Sequence, residues 1–126
     1  MKRVLSTRQR LLPKFSLGER GEQRALAFLQ KRGYEFLAAN VRIGNKELDL
    51  VVFDPEHQEV VFVEVKTRSS TNFGNPHQAI GYKKLSALRT AATAFLNKSK
   101  LEHDYRFDSI AVLPGTIRHY QDITCQ

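Results

Sequence analysis

Two short runs carry charged side chains where strand patterning calls for apolar ones. Side chains alternate faces along a strand. In Glu47-Leu48-Asp49-Leu50-Val51-Val52-Phe53, Leu48, Leu50 and Val52 share one face, and Glu47 and Asp49 share the other with Val51 and Phe53. In Val60-Val61-Phe62-Val63-Glu64-Val65-Lys66, Val61, Val63 and Val65 form an apolar face, and Glu64 and Lys66 lie with Phe62 on the opposite one. Asp54-Pro55-Glu56-His57 between the runs is turn chemistry, so an antiparallel hairpin is expected with the two charged ends side by side. Opposed residues in a hairpin have a constant index sum. A sum of 113 sets Asp49 against Glu64 and Glu47 against Lys66, each pair roughly 5 Å apart.

Two opposed carboxylates repel unless a cation stands between them. Hard oxygen donors suit Mg²⁺, which takes one or two protein carboxylates and keeps waters or substrate phosphate in its remaining positions. The plainer reading is a solvent-facing charged stripe, with Glu47 and Lys66 as a surface ion pair. An E-x-D run followed fifteen residues after its Asp by E-x-K is more specific than scattered charge.

With Glu64-Val65-Lys66 closing a Val- and Phe-rich strand, the pattern resembles the motif of the PD-(D/E)XK nuclease superfamily. The surrounding residues resemble its YraN-like branch of small bacterial proteins, related to archaeal Holliday-junction resolvases. The matching stretches are Gly18-Glu19-Arg20-Gly21-Glu22, Gly33-Tyr34, Asn40, Glu47 to Leu50, Phe62 to Arg68, Phe73-Gly74 and Arg106-Phe107-Asp108, spanning roughly residues 18–112. Lys46 departs from the pattern, standing where the family usually has glycine. The resemblance implies a restriction-endonuclease-like core. It implies that Asp49 and Glu64 ligate Mg²⁺ or Mn²⁺, with the backbone carbonyl of Val65 completing the site. Lys66 would then orient or help deprotonate the attacking water, or stabilise charge on the phosphate. The implied reaction is phosphodiester hydrolysis by in-line attack.

Glu22 matches the helix glutamate that the related resolvases place in the metal sphere. An ordinary first-turn glutamate favoured by the helix dipole is the alternative. Glu47 either touches metal through water or pairs with Lys66. Arg68, Lys84, Arg20 and Arg24 are candidate phosphate contacts, although a solvated strand end accounts for Arg68 equally well, and Lys83, Lys84 and Arg89 read first as a solvated helix face. Arg106 and Asp108 alternate on one strand and could form a structural ion pair. His57 and His77 read as surface residues, and Phe73 and Tyr82 as core residues or base-stacking ones.

The elements that would position these residues can be traced along the chain. Ser16-Leu17-Gly18-Glu19 is a capping box that starts a helix near residue 17, and Gly33 sits where its C-terminal glycine belongs. Strands are expected at Tyr34–Asn40, Glu47–Phe53 and Val60–Lys66. Asn75-Pro76 opens a second helix, with Ile80, Leu85, Leu88, Ala92, Phe95 and Leu96 on its apolar face and its end near Asn97. Asp104–Leu113 and Thr116–Asp122 are two more strands, joined by a Pro114-Gly115 turn. The order αβββαββ predicts an α/β or α+β domain around a mixed sheet flanked by helices, over residues 16–126, behind a loose basic arm at 1–15.

The net charge is +7. Residues 1–32 contain nine basic and two acidic side chains, and the remainder balances, so the whole excess lies in the arm and the first helix. Such a block attracts polyanions by counterion release, unless it serves only as a solubilising tail. Nucleic acid is therefore the expected partner, DNA before RNA; symmetric cutting of two strands would suit a homodimer. No apolar run approaches the roughly 18–20 residues of a membrane span. Arg8, Arg10 and Lys14 interrupt any signal-peptide core, and the single Cys125 suits a reducing compartment, so a cytoplasmic location with no membrane partner is expected. Three functions compete: an endonuclease for structured or damaged DNA, a catalytically quiet nucleic-acid-binding subunit of the same fold, and a protein-interaction module whose arm meets an acidic partner.

Overall fold

Alternating apolar strands and two amphipathic helices meet as an α+β fold in the computed structural model, which describes residues 20–69 and 82–124. The elements run α1 (Arg20–Lys31), β1 (Glu35–Ile43), β2 (Lys46–Asp54), β3 (Glu59–Thr67), α2 (Tyr82–Ser99), β4 (Asp104–Leu113) and β5 (Thr116–Tyr120). This is the expected order αβββαββ. The sheet follows sequence order, β1 to β5, antiparallel everywhere except the β3–β4 pair, which is parallel and is linked through α2. The sheet is therefore mixed, as a crossover helix between two hairpin units requires.

Each helix covers one face. Ala25, Leu26 and Leu29 of α1 pack on Leu50, Val52, Val61, Val63, Ile110 and Val112. Leu88, Ala91, Ala92, Phe95 and Leu96 of α2 pack on Val51, Phe53, Val60, Phe62 and Phe107. Both helices end with a left-handed residue. At Gly33 (φ 91°) the Gly33 N–H donates to Gln30 O and the Tyr34 N–H to Leu29 O, the paired bonds of a Schellman stop. Lys100 (φ 56°) closes α2 the same way, with Lys100 N–H to Asn97 O and Leu101 N–H to Leu96 O. The described part of α2 runs past the expected end at Asn97. Its expected start at Asn75-Pro76, together with Phe73, His77, Ile80 and residues 1–19, lies outside the described residues.

β1, β2 and β3 end later than turn chemistry alone predicted, β4 keeps its expected bounds, and β5 stops at Tyr120, short of the expected Asp122. β1 continues through Asn40 to Ile43 and turns at Gly44-Asn45, because Asn40 absorbs a left-handed conformation (φ 53°) that few other side chains tolerate. That kink corrects the face assignment of Leu48. Ala39 and Leu50 pack toward α1, whereas their neighbours Val41 and Leu48 pack toward α2. The alternation of β1 and β2 thus slips at Asn40 and Asp49, and Leu48 leaves the face of Leu50 and Val52. Among the described residues no helix is long and apolar enough to cross a membrane.

Candidate active site

The β2–β3 hairpin has the expected index sum of 113, from Asp54↔Glu59 at the turn to Leu50↔Val63. There the ladder stops. β3 stays with β4 through Thr67↔Val112, while β2 stays with β1 through Ile43↔Lys46, so the two strands fork. Backbone groups at a fork need other partners. Asp49 supplies one: its Oδ2 accepts the Val65 N–H at 2.9 Å. This bond holds the Asp49 carboxylate inside the fork, beside the start of the charged end of β3.

Asp49 and Glu64 line one cavity of about 210 Å³ with Lys46, Glu47 and Lys84, floored by Phe62, Leu88 and Phe107. Glu64 is held between two ammonium groups. Lys66 Nζ lies 3.7 Å from its Oε1, and Lys84 Nζ, from the first turn of α2, lies 3.3 Å from Oε1 and 3.2 Å from Oε2. Burial pushes the Asp49 carboxyl above the ordinary carboxylate range. The Val65 N–H pulls it back, the charges of Glu64 and Glu47 raise it further, and Lys84 only partly offsets them. The cations of the site are thus gathered on Glu64, while Asp49 is left to burial and to its acidic neighbours.

Other expected residues fall elsewhere. Glu47 does not pair with Lys66: it reaches 4.0 Å from Arg42 Nη2 on β1, because Arg42 is its cross-strand partner once β2 has left β3. Glu22 does not line the cavity. It sits in the first turn of α1 with Oε2 shielded from solvent, on a helix that covers the other face of the sheet. The start of α1 nevertheless meets the end of β3 closely, since a Cβ at Gly21 would collide with Thr67 Oγ1. Arg20 and Arg24 are exposed at that end of α1, and Arg24 Nη2 approaches Leu113 O at 3.5 Å. Arg68 is exposed beyond β3 and donates to Thr67 O. Lys84 is not simply a solvated lysine, because it closes on Glu64.

A second charged group occupies the turn end of the same hairpin. Asp54, His57 and Glu59 bring three potential ligand atoms within 4.8 Å of one another, so this group could hold a metal. Turn chemistry alone accounts for Asp54 and His57 in the sequence, although the sum of 113 already sets Asp54 opposite Glu59. Arg106 on β4 fills the centre of the group. Its Nη1 donates to Asp54 Oδ2 at 2.8 Å and Glu59 Oε1 at 2.9 Å, its Nε to Asp108 Oδ1 at 3.0 Å, and its Nη2 to the Tyr34 hydroxyl at 2.9 Å. His119 Nε2 pairs with Asp108 Oδ2 at 2.7 Å, and the Asp122 N–H donates to Asp108 Oδ1. The expected Arg106–Asp108 ion pair thus belongs to a larger buried network. Burial alone would raise the Asp108 carboxyl, but His119, Arg106 and the Asp122 N–H outweigh it and hold it below the ordinary range. Asp54 behaves likewise: burial raises it, and Arg106 and His57 more than compensate.

Comparison with known proteins fixes the lineage. The sequence model described as "Uncharacterised protein family UPF0102" matches residues 21–112, which include both charged groups. The chain belongs to UPF0102. Among UPF0102 relatives, the protein of Shewanella denitrificans is 44% identical over 96 residues, covering 75% of this chain and 86% of its own length. The Chloroherpeton thalassium relative is 42% identical over 99 residues, covering 78% of this chain and 75% of its own. The Caldicellulosiruptor saccharolyticus relative is 40% identical over 111 residues, covering 87% and 92%. UPF0102 corresponds to the YraN-like family of small bacterial proteins that the motifs resembled.

Proposed function

We propose that this protein is a divalent-metal-dependent phosphodiester hydrolase of the PD-(D/E)XK type, acting on structured or damaged DNA. The observation that carries this reading is the fork. Asp49 and Glu64, from adjacent strands, line one open cavity, with Lys66 against Glu64 and with burial and acidic neighbours disfavouring the charge on Asp49. The donor set fits Mg²⁺ or Mn²⁺, being hard oxygens with open cavity beside them. At the turn end the fit is poorer, because Arg106 already neutralises Asp54 and Glu59 and a metal there would set a second cation against a buried guanidinium.

Asp49 and Glu64 would hold the ion, with the Val65 carbonyl completing the protein ligands. When bound, the ion polarises the phosphoryl oxygen and lowers the pKa of the attacking water. Lys66 lies beside Glu64, within reach of a water at that carboxylate, so it can orient the water or meet charge building on the phosphate. The apolar floor of Phe62, Leu88 and Phe107 limits water on the side away from substrate. The basic arm, Arg20, Arg24 and Arg68 supply backbone affinity without reading bases.

The test is a cleavage screen over branched, nicked and single-stranded DNA with Mg²⁺ and Mn²⁺, run beside thermal melts. Wild type should cut at least one substrate, and the ions should stabilise it by about 2.7 kcal/mol at a hundredfold excess over the dissociation constant. Glu64→Ala should lose both effects, and Lys66→Ala should lose cleavage while keeping the metal response. Absence of any metal response, even with duplex present, would favour the quiet binding subunit. The two lysines already on Glu64 are what speaks for that alternative.

A further inference from the structure

The two cations on Glu64 are not equivalent. Lys66 belongs to β3, whose backbone is fixed at that point by pairing with Ala111 of β4. Lys84 reaches across from α2 on a flexible four-carbon stem and contacts both carboxylate oxygens. The side chains of Lys84 and Glu64 are 46% and 29% exposed, so their contact is in exchange with water and weakly held. Asp49 and Glu64 carry two negative charges against the two positive charges of Lys66 and Lys84, and that group of four is neutral as it stands. A dication at the same carboxylates would leave a charge of two and would crowd the Glu64 oxygens that Lys84 touches.

We propose that Lys84 is the site's own resident cation: it holds Glu64 in the metal-free protein, yields to a divalent ion, and then turns to a backbone phosphate. The proposal rests on the metal-dependent reading above and deepens it, making Lys84 a positioning residue that couples metal to substrate. Lys84 is the cation that moves, because it is tethered to a different element and Lys66 is not. The charge left by the ion is what a phosphodiester neutralises, so metal and polyanion should each strengthen the other's binding by the same factor. Weak binding of metal alone then becomes a property of the site, which charges fully only when substrate arrives.

The experiment measures Mn²⁺ affinity of the full chain from the paramagnetic resonance signal of the free ion, with and without a DNA duplex. Lys84→Met and Lys84→Gln should bind Mn²⁺ about three- to tenfold more tightly than wild type without duplex. Duplex should then strengthen their Mn²⁺ binding less than it does in wild type. Lys84→Arg, which keeps the charge, and Lys83→Met, one position away, should both match wild type. Two neutral substitutions at an exposed helix position guard against a folding artefact in either. Equal or weaker Mn²⁺ binding by both neutral variants overturns the proposal. If wild-type binding is lost in Glu64→Gln yet ignores Lys84, only the role of Lys84 fails. If no variant binds Mn²⁺ even with duplex, the metal-dependent reading fails and this proposal falls with it.

Discussion

The β2–β3 hairpin carries a pair of acidic residues at each end, and the two ends treat them in opposite ways. At the turn, Asp54 and Glu59 are directly opposed and a single guanidinium donates to both. At the fork, Asp49 and Glu64 meet only flexible ammonium groups that favour Glu64, and Asp49 is left with its pKa raised. Both ends obey the same rule, that adjacent carboxylates need a cation. One end has its cation built in and its carboxylates satisfied; the other is open, with both its cations gathered on Glu64 and, among the described residues, none on Asp49. Perturbation toward the neutral form, in a cavity, is what distinguishes a site poised for a ligand from a structural network made of the same residue types.

Removing the built-in cation should give the largest effect. Arg106→Ala leaves Asp54, Asp108 and Glu59 without their shared donor, and a loss of about 3–5 kcal/mol is expected in chemical denaturation. That is a large fraction of the roughly 5–15 kcal/mol of a typical domain. A loss under about 1 kcal/mol would show that the turn end is not the structural half of the comparison.

The fork should respond the other way. A carboxyl whose pKa is higher folded than unfolded destabilises the fold when ionised. That penalty is absent below the unfolded value, near about pH 4, and is complete above the raised folded value. Asp49→Asn should therefore match or exceed metal-free wild type at pH 7, by no more than about 1 kcal/mol, with the difference vanishing at low pH. Asp108 and Asp54 have the opposite sign: lowered folded pKa values give stability above about pH 4 that is lost as pH falls through the folded values. Acid unfolding should therefore start at the turn end. Melts of wild type and Asp49→Asn from pH 3 to pH 8 separate the two contributions, and a mutant less stable than wild type at pH 7 would contradict the ionisation penalty assigned to Asp49.

The smallest effect belongs to His57, at the exposed rim of the turn group. Its hydrogen bond and attraction to Asp54 raise its pKa, and its stabilisation is fully present below the unfolded value of about 6.5 and lost as pH rises through the folded one. His57→Ala should be close to neutral at pH 8 and measurably destabilising at pH 5.5. Equal effects at both pH values would show that its contribution does not depend on its charge.

By itself the sequence determined the order of elements, the helix stop at Gly33, the hairpin register and the candidates Asp49, Glu64 and Lys66. All of these follow from local rules: side-chain period, turn residues and a constant index sum along an antiparallel pair. Tertiary structure alone decided where that register ends. The fork arises because β3 takes β4 as a parallel partner and β2 keeps β1, a competition between strands far apart in the chain. From it follow the Asp49 bond to Val65, the pairing of Glu47 with Arg42 in place of Lys66, and the side on which Leu48 packs. Lys84 and Arg106 show the same limit. Lys84 lies on the crossover helix α2 and Arg106 on β4 beyond it, and no spacing along the chain says that the one will meet Glu64 or the other Asp54 once the sheet has closed.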